Sequence, residues 1–188
     1  MPDAVCIGLP CFGNYATIAY NENVKRYANR VKMRPFTAFQ EEKTVIKILF
    51  VCHGNICRST MAEFIFKNLV KEKGLENSFE ITSAGVSDEE EGNDIYPPAK
   101  RELRRHNIPF TFHYAHRITD KEFEENDLVI ALDSSNMRRL LSRFGKHDKI
   151  RMLLQRDVDD PWYTGDFSTA YRDITEGCLN LLSQVVRE

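Results

Sequence analysis

The segment Val45-Ile46-Lys47-Ile48-Leu49-Phe50-Val51 is a nearly continuous apolar run rich in β-branched residues, the pattern of a strand covered on both faces. From Ser59 to Lys73 the apolar positions Met61, Phe64, Ile65 and Leu69 fall near helical spacing, and Gly74 supplies a stop. Phe79–Ala84 reads as a second strand closed by Gly85, and Pro98–His106 as a helix with proline in its first turn and Asn107 as a left-handed cap. Asp127–Leu132 is a third buried strand. Ser134–Phe144 is a helix ended by Gly145, and a short strand is expected near Ile150–Leu153. An irregular stretch then runs through Gly165. Ser168–Arg187 is a long amphipathic helix with Tyr171, Ile174, Cys178, Leu181, Leu182 and Val185 inward.

Strand–helix alternation of this kind predicts an α/β fold: a single doubly wound domain with a central parallel sheet of about four strands, flanked by helices on both faces. Residues 1–44 read differently, with little periodicity, scattered Gly, Pro and Asn, and a basic stretch from Lys25 to Arg34. They are expected to form an N-terminal extension to a domain spanning 45–188. In doubly wound sheets ligands sit beyond the carboxyl ends of the strands, which directs attention to the first strand–helix turn.

Charge and composition narrow the function classes. A formal net charge of −2 argues against nucleic-acid binding through bulk charge. No apolar stretch is long enough for a membrane helix, and Gly8, Pro10 and Gly13 interrupt any secretory leader. Five cysteines fit poorly with a complete disulfide framework, so the expected location is the reducing cytoplasm.

The turn itself reads Cys52-His53-Gly54-Asn55-Ile56-Cys57-Arg58-Ser59-Thr60. A loop entering a helix gathers unpaired backbone N–H groups and the positive end of the helix dipole, a ready anion site. Gly54 and Asn55 are the residues most tolerant of positive φ, and are expected to curl the loop. A cysteine placed there has its thiolate favoured by the amides and by Arg58. The arginine fork can grip two phosphate oxygens, and Ser59 can donate its hydroxyl to the sulfur. Cys-x₅-Arg alone is weak, since five cysteines would show it by chance roughly one time in four. The flanking strand, helix, Gly-Asn pair and following Ser make coincidence improbable.

This run resembles the signature V-C-x-G-N-x-C-R-S of the low-molecular-weight protein tyrosine phosphatases. Downstream, Thr82-Ser83-Ala84-Gly85, Leu103-Arg104-Arg105-His106-Asn107-Ile108, Leu132-Asp133-Ser134-Ser135-Asn136 and Asp160-Pro161-Trp162-Tyr163 resemble further family segments, in the right order. The resemblance implies a phosphotyrosine phosphatase with Cys52 as nucleophile, Arg58 as phosphate clamp and Asp160 as general acid. It further implies a phosphate loop of His53, Gly54, Asn55, Ile56, Cys57 and Ser59, and a supporting network of Asn55, Ser59, Ser83 and His106. Trp162 and Tyr163 form the substrate rim, and Cys57 is a redox partner for Cys52. Phosphotyrosine-bearing proteins are the implied partners, and phosphate or related oxyanions the product or inhibitors. No cofactor, metal, membrane or nucleic acid is called for.

Departures are few. Thr60 stands where the family has proline, and His53 where Leu is common; Ala115-His116-Arg117 replaces an Ala-Arg-Gln-like segment. Four rival readings remain. A zinc module would use Cys6, Cys11, Cys52 and Cys57, but needs none of the Gly-Asn-Arg-Ser context. An arsenate reductase needs two more relay cysteines, and none lies between Cys57 and Cys178. A protein arginine phosphatase would carry Thr where Ile56 stands. A non-catalytic phosphotyrosine reader would need neither thiolate nor acid.

Overall fold

The computed structural model describes residues 45–186, all within the unit Lys43–Glu188; the expectations for residues 1–44, and for Cys6 and Cys11, lie outside them. The described elements run β1 (Ile46–Cys52), α1 (Arg58–Glu72), β2 (Phe79–Gly85), α2 (Pro97–Arg105), α3 (Asp120–Glu125), β3 (Leu128–Ala131), α4 (Ser134–Phe144), β4 (Ile150–Met152), α5 (Pro161–Thr164) and α6 (Phe167–Val185). The four strands form one parallel sheet in the order β2-β1-β3-β4. This is the doubly wound α/β architecture read from the sequence.

Alternation along β1 splits the core into two layers. Ile48, Phe50 and Cys52 face α1 and α6, against Met61, Ile65, Phe66, Ile174, Cys178 and Leu182. Leu49 and Val51 face the opposite side, against Phe123, Leu140 and Ile118. Each large side chain sealed this way contributes about 1.5–3 kcal/mol relative to exposure. Because α1 and α4 pack on opposite faces, the chain changes side between β1 and β3, and a crevice opens there at the carboxyl ends of the strands. The ladders end level, with Cys52 beside Gly85 and Val51 beside Ala131. The loops that leave these three ends therefore meet.

Two short helices were not read from the pattern. α3 carries a capping box in which Thr119 and Glu122 each accept from the other's backbone; the Thr-x-x-Glu signal is in the sequence, but only one residue of the helix, Phe123, is buried. α5 is a single turn started by Pro161 and ended by Gly165 at φ 72°. The cap predicted at Asn107 is present, at φ 56°.

Two predictions follow from packing. A Cβ on Gly177 of α6 would lie 2.4 Å from Cγ of Leu153. Gly177→Ala gains about 1 kcal/mol of helix propensity but meets overpacking of about 1–3 kcal/mol, so the urea midpoint is expected to fall. A midpoint that rises, as at an open helical site, would show that Leu153 yields freely.

The second concerns His116, whose Nε2 contacts Glu122 Oε1 at 2.6 Å. Burial opposes the Glu122 charge, but His116 and the Thr119 amide and hydroxyl bring its carboxyl down to about 2. The same hydrogen bond raises His116 above its usual 6.5, against burial. The Glu122 contribution is present above its ordinary 4.5 and fades as pH falls towards about 2. The His116 contribution is full below 6.5 and is lost as pH rises through its higher folded value. Thermal melts of His116→Gln should therefore show a larger loss of Tm at pH 5.5 than at pH 9; an equal loss at both would remove the ion pair from the account.

Candidate active site

The loop from Cys52 to Arg58 is held from outside by its carbonyls. Cys52 O accepts from Val86 N at 2.9 Å, His53 O from Ser87 N at 3.0 Å, and Ile56 O from Tyr96 N at 2.9 Å. Asn55 O accepts from Nε2 of His113 at 2.9 Å. The amides of Gly54, Asn55, Ile56 and Cys57, by contrast, have no protein acceptor among the described residues. A loop with its carbonyls engaged and its N–H groups free is an anion cradle.

The backbone achieves this at one residue rather than two. Asn55 is left-handed, at φ 61°, while Gly54 is not. Gly54 is needed for room instead, since a Cβ there would approach Cγ of Glu90 to 2.9 Å. Gly85, the last residue of β2, has the same function across the loop: its Cβ would sit 2.7 Å from His53 O.

Asn55 is fully buried and organises the polar interior. Its Oδ1 accepts from Nε2 of His113 at 3.0 Å and from the His116 amide at 3.2 Å, which fixes the amide orientation. Its Nδ2 then donates to Ser59 Oγ at 2.9 Å and Ser83 Oγ at 3.0 Å. Ser83 Oγ in turn donates to the Glu63 carboxylate at 2.6 Å. Ser59 Oγ, already accepting from Asn55, is left to donate to Cys52 Sγ at 3.0 Å. The network thus points a hydroxyl proton at the sulfur. Burial holds His113 below the ordinary histidine range, against Glu63 and the Asn55 carbonyl, so the ring stays neutral with its proton on Nε2.

Of the residues expected in this network, Asn55, Ser59 and Ser83 are brought together and His106 is not. His106 is the C-cap residue of α2, and from there its side chain reaches Glu102 at 3.2 Å and stacks on Tyr171, with centroids 3.8 Å apart. His113, seven positions on, occupies the place assigned to it. Only the pairing of this segment beside the end of β2, where Arg117 bridges Gly85 in parallel, brings His113 to Asn55, and no periodicity marks that pairing.

Arg58 is 3% exposed. Nη1 donates to Asp133 Oδ2 at 2.5 Å and Val158 O at 3.0 Å, and Nη2 donates to Asp160 Oδ2 at 2.5 Å. Nε is buried with no partner. Burial disfavours the guanidinium charge, but Cys52, Asp160 and Asp133 outweigh it and hold the group protonated more firmly than usual. Asp133 was not singled out from sequence. It caps α4 through its other oxygen, accepting from Asn136 N at 2.6 Å, and an N-cap at the end of the strand beside β1 is the signal that marks it.

Asp160 is carried by a loop tied down just ahead of it. Val158 N donates to Leu132 O at 2.9 Å, and Asp157 accepts from the amide and hydroxyl of Ser134 at 2.7 and 2.8 Å. Asp160 itself has extended backbone, φ −80° and ψ 110°, before Pro161, and its Oδ1 accepts from Trp162 N at 3.1 Å. Trp162 leans on Tyr96, with centroids 4.8 Å apart.

A cavity of about 220 Å³ joins these parts, lined by Cys52, His53, Gly54, Ile56, Cys57, Arg58, Asp160, Trp162 and Tyr163, with Glu89 and Glu90 at its edge. Those two glutamates were also missed by sequence reasoning. A larger hollow of about 550 Å³ between β4 and α6 contains none of these groups. Cys57 is buried, and burial with Cys52 and Asp160 beside it pushes its thiol well above its ordinary value.

Residues 47–188 match the model of the family described as low molecular weight phosphotyrosine protein phosphatase. The chain is 37% identical over 153 residues to the low molecular weight protein-tyrosine-phosphatase YfkJ of Bacillus subtilis, covering 77% of this chain and 98% of that protein. It is 32% identical over 161 residues to the human low molecular weight phosphotyrosine protein phosphatase, covering 76% and 98%. The crystal structure of YfkJ superposes with a TM-score of 0.74 over 77% of this chain and 96% of that one. A Drosophila arginine phosphatase, 30% identical, superposes with a TM-score of 0.68 over 74% and 98%.

The network makes Ser59 the hydrogen-bond donor to Cys52 Sγ. Alkylation goes through the ionised form of a thiol, to which a donated hydrogen bond is worth about 1.5–3 kcal/mol, offset in part by the lower nucleophilicity of a sulfur so bonded. Ser59→Ala is therefore expected to slow alkylation of Cys52 by iodoacetamide at pH 6 about three- to tenfold. Ser83→Ala, one bond further away, should slow it less; equal rates in all three proteins would mean that the hydroxyl does not act on the sulfur.

Proposed function

The chain belongs to the low molecular weight phosphotyrosine protein phosphatase family of cysteine-dependent phosphatases, and we propose on that premise that it hydrolyses phosphotyrosine in proteins through a phosphocysteine intermediate. The observation that carries the reading is the buried, unpartnered Nε of Arg58 in a cavity shared with Cys52, Asp160 and a run of free amides.

Phosphate would take the Nε–Nη2 edge of Arg58, displacing the Asp160 carboxylate that now occupies Nη2. The remaining phosphate oxygens would meet the loop amides. Cys52 Sγ, as the thiolate, attacks phosphorus as the aryl oxygen leaves; Asp160, released from Arg58 as a carboxylate and protonated from solvent before the step, gives that proton to the oxygen. The tyrosine departs neutral, and Asp160, now a carboxylate, takes a proton from water as the water attacks the phosphocysteine. Inorganic phosphate and the Cys52 thiolate are regenerated. Trp162 and Tyr163, 50% and 81% exposed, offer rings for the substrate's own ring to stack against. Arg58 stays anchored throughout by Asp133 and Val158 O.

Ile56 bears on the leaving group. It lines the cavity and brings a branched apolar surface without a hydroxyl, which suits an aryl ring better than a guanidinium. Free Cys52, Cys57 and Cys178 accord with a reducing compartment such as the cytoplasm. Among the described residues no helix is long and apolar enough to cross a membrane. Cys57, which lines the same cavity, would take Cys52 into a reversible disulfide under oxidation.

The test is turnover of p-nitrophenyl phosphate with EDTA present. Wild type is expected to be active, Cys52→Ser inactive, and Asp160→Asn slowed about 10²–10⁴-fold. Phosphotyrosine and phosphoarginine peptides run in parallel decide the leaving group. Preference for phosphoarginine would overturn the substrate assignment, and binding without turnover would leave a reader.

A further inference from the structure

The mouth of the cavity carries charge that the reaction does not use. The loop after β2 contains the run Asp88-Glu89-Glu90-Glu91, and Glu89 and Glu90 line the cavity with the catalytic groups. Neither is loosely placed. The stem of Glu90 lies against Gly54, and its Oε2 accepts from Asn93 Nδ2 at 2.8 Å. Oε2 of Glu89 accepts from His53 Nε2 at 3.0 Å, and that hydrogen bond holds the carboxyl below its usual range and charged. The opposite wall, Trp162 and Tyr163, supplies aromatic surface and no cation.

This arrangement is wrong for a bare aryl phosphate. The inner end of the cavity, marked by the orphan Nε of Arg58, attracts an anion. The arginine's charge is buried and already balanced by Asp133 and Asp160. A dianionic phosphate on its way in must pass two solvent-facing carboxylates that repel it. Arg139 of α4 acts on Glu89 through space, but it does not line the cavity. The cost becomes a gain when the substrate brings its own positive charge beside the phosphotyrosine, where it would lie over the rim while the phosphate sits in the cradle.

Resting on the phosphatase reading above, we propose that Glu89 and Glu90 are specificity residues that select phosphotyrosine segments flanked by Lys or Arg. His53 and Asn93 are the positioning residues that hold the two carboxylates at the mouth. The effect is one of exposed charges, so it is moderate in size and screened by salt.

The experiment compares kcat/KM for two phosphotyrosine peptides that differ only in flanking residues, Lys in one and Glu in the other. p-Nitrophenyl phosphate is assayed alongside. Two exposed pairs whose sign reverses between the peptides give an expected preference of roughly tenfold for the Lys peptide at low salt, shrinking in 1 M NaCl. In Glu89→Gln/Glu90→Gln the ratio should fall close to one, and in Glu89→Lys it should move towards the Glu peptide. The ratio is taken within one preparation, so loss of folded enzyme cancels. A wild-type ratio near one, or a ratio that survives the double change, with p-nitrophenyl phosphate still hydrolysed, overturns the proposal alone. No turnover of any of the three substrates overturns the phosphatase reading and this proposal with it.

Discussion

A guanidinium sealed from solvent has to be compensated, and much of this site follows from how Arg58 is. With the side chain 3% exposed, its charge is held by Asp133 and Asp160 and by the carbonyl of Val158. Deleting one partner of a buried pair typically costs about 3–5 kcal/mol, because the other charge is stranded. That constraint ties three loops to one point: the one after β1 that carries Arg58, the one after β3 that carries Asp133, and the one before α5 that carries Asp160. Their convergence is possible only because the parallel ladders end level.

The same constraint leaves one edge of the guanidinium free. Asp133 and Val158 fix Nη1, Nε has no partner, and Asp160 rests on Nη2. The first set of contacts serves stability, while the open edge is the one the proposed phosphate would use. On the proposed reading an incoming oxyanion replaces the carboxylate at Nη2, and Asp160, once released and protonated, is free to act on the leaving group. Structure and reactivity here draw on a single electrostatic requirement.

Around Cys52 the organising element is a different one. Asn55 needs a left-handed backbone, a buried site and five polar contacts at once: His113 on both its side-chain oxygen and its backbone carbonyl, the His116 amide, Ser59 and Ser83. Few residues tolerate the first, and an amide alone satisfies the rest by both donating and accepting. The relay from Glu63 through Ser83 and Asn55 to Ser59 ends on the sulfur, so a residue with no access to substrate sets the direction of the hydroxyl that reaches it.

By itself the sequence determined what is local. Apolar runs and periodic helices, with their glycine, asparagine and proline stops, located the four strands and all the longer helices within a residue or two, because burial and backbone preference act over short stretches. Cys52, Arg58 and Ser59 were legible since one loop carries them, and Asp160 since its proline-fixed turn belongs to a recognisable segment. What spans the chain was decided only by tertiary structure. Asp133 lies 75 residues from Arg58, Ser83 lies 28 from Asn55, and His113 lies 58 from it. Such pairings depend on which strand ends stand side by side, and no local pattern encodes that. The sequence pointed to His106; the pairing of the segment around Arg117 beside the end of β2 brings His113 to Asn55 instead and leaves His106 stacked on Tyr171. The acidic rim was hidden for the same reason: nothing local in Asp88–Glu91 says that the loop after β2 brings Glu89 and Glu90 to the cavity wall.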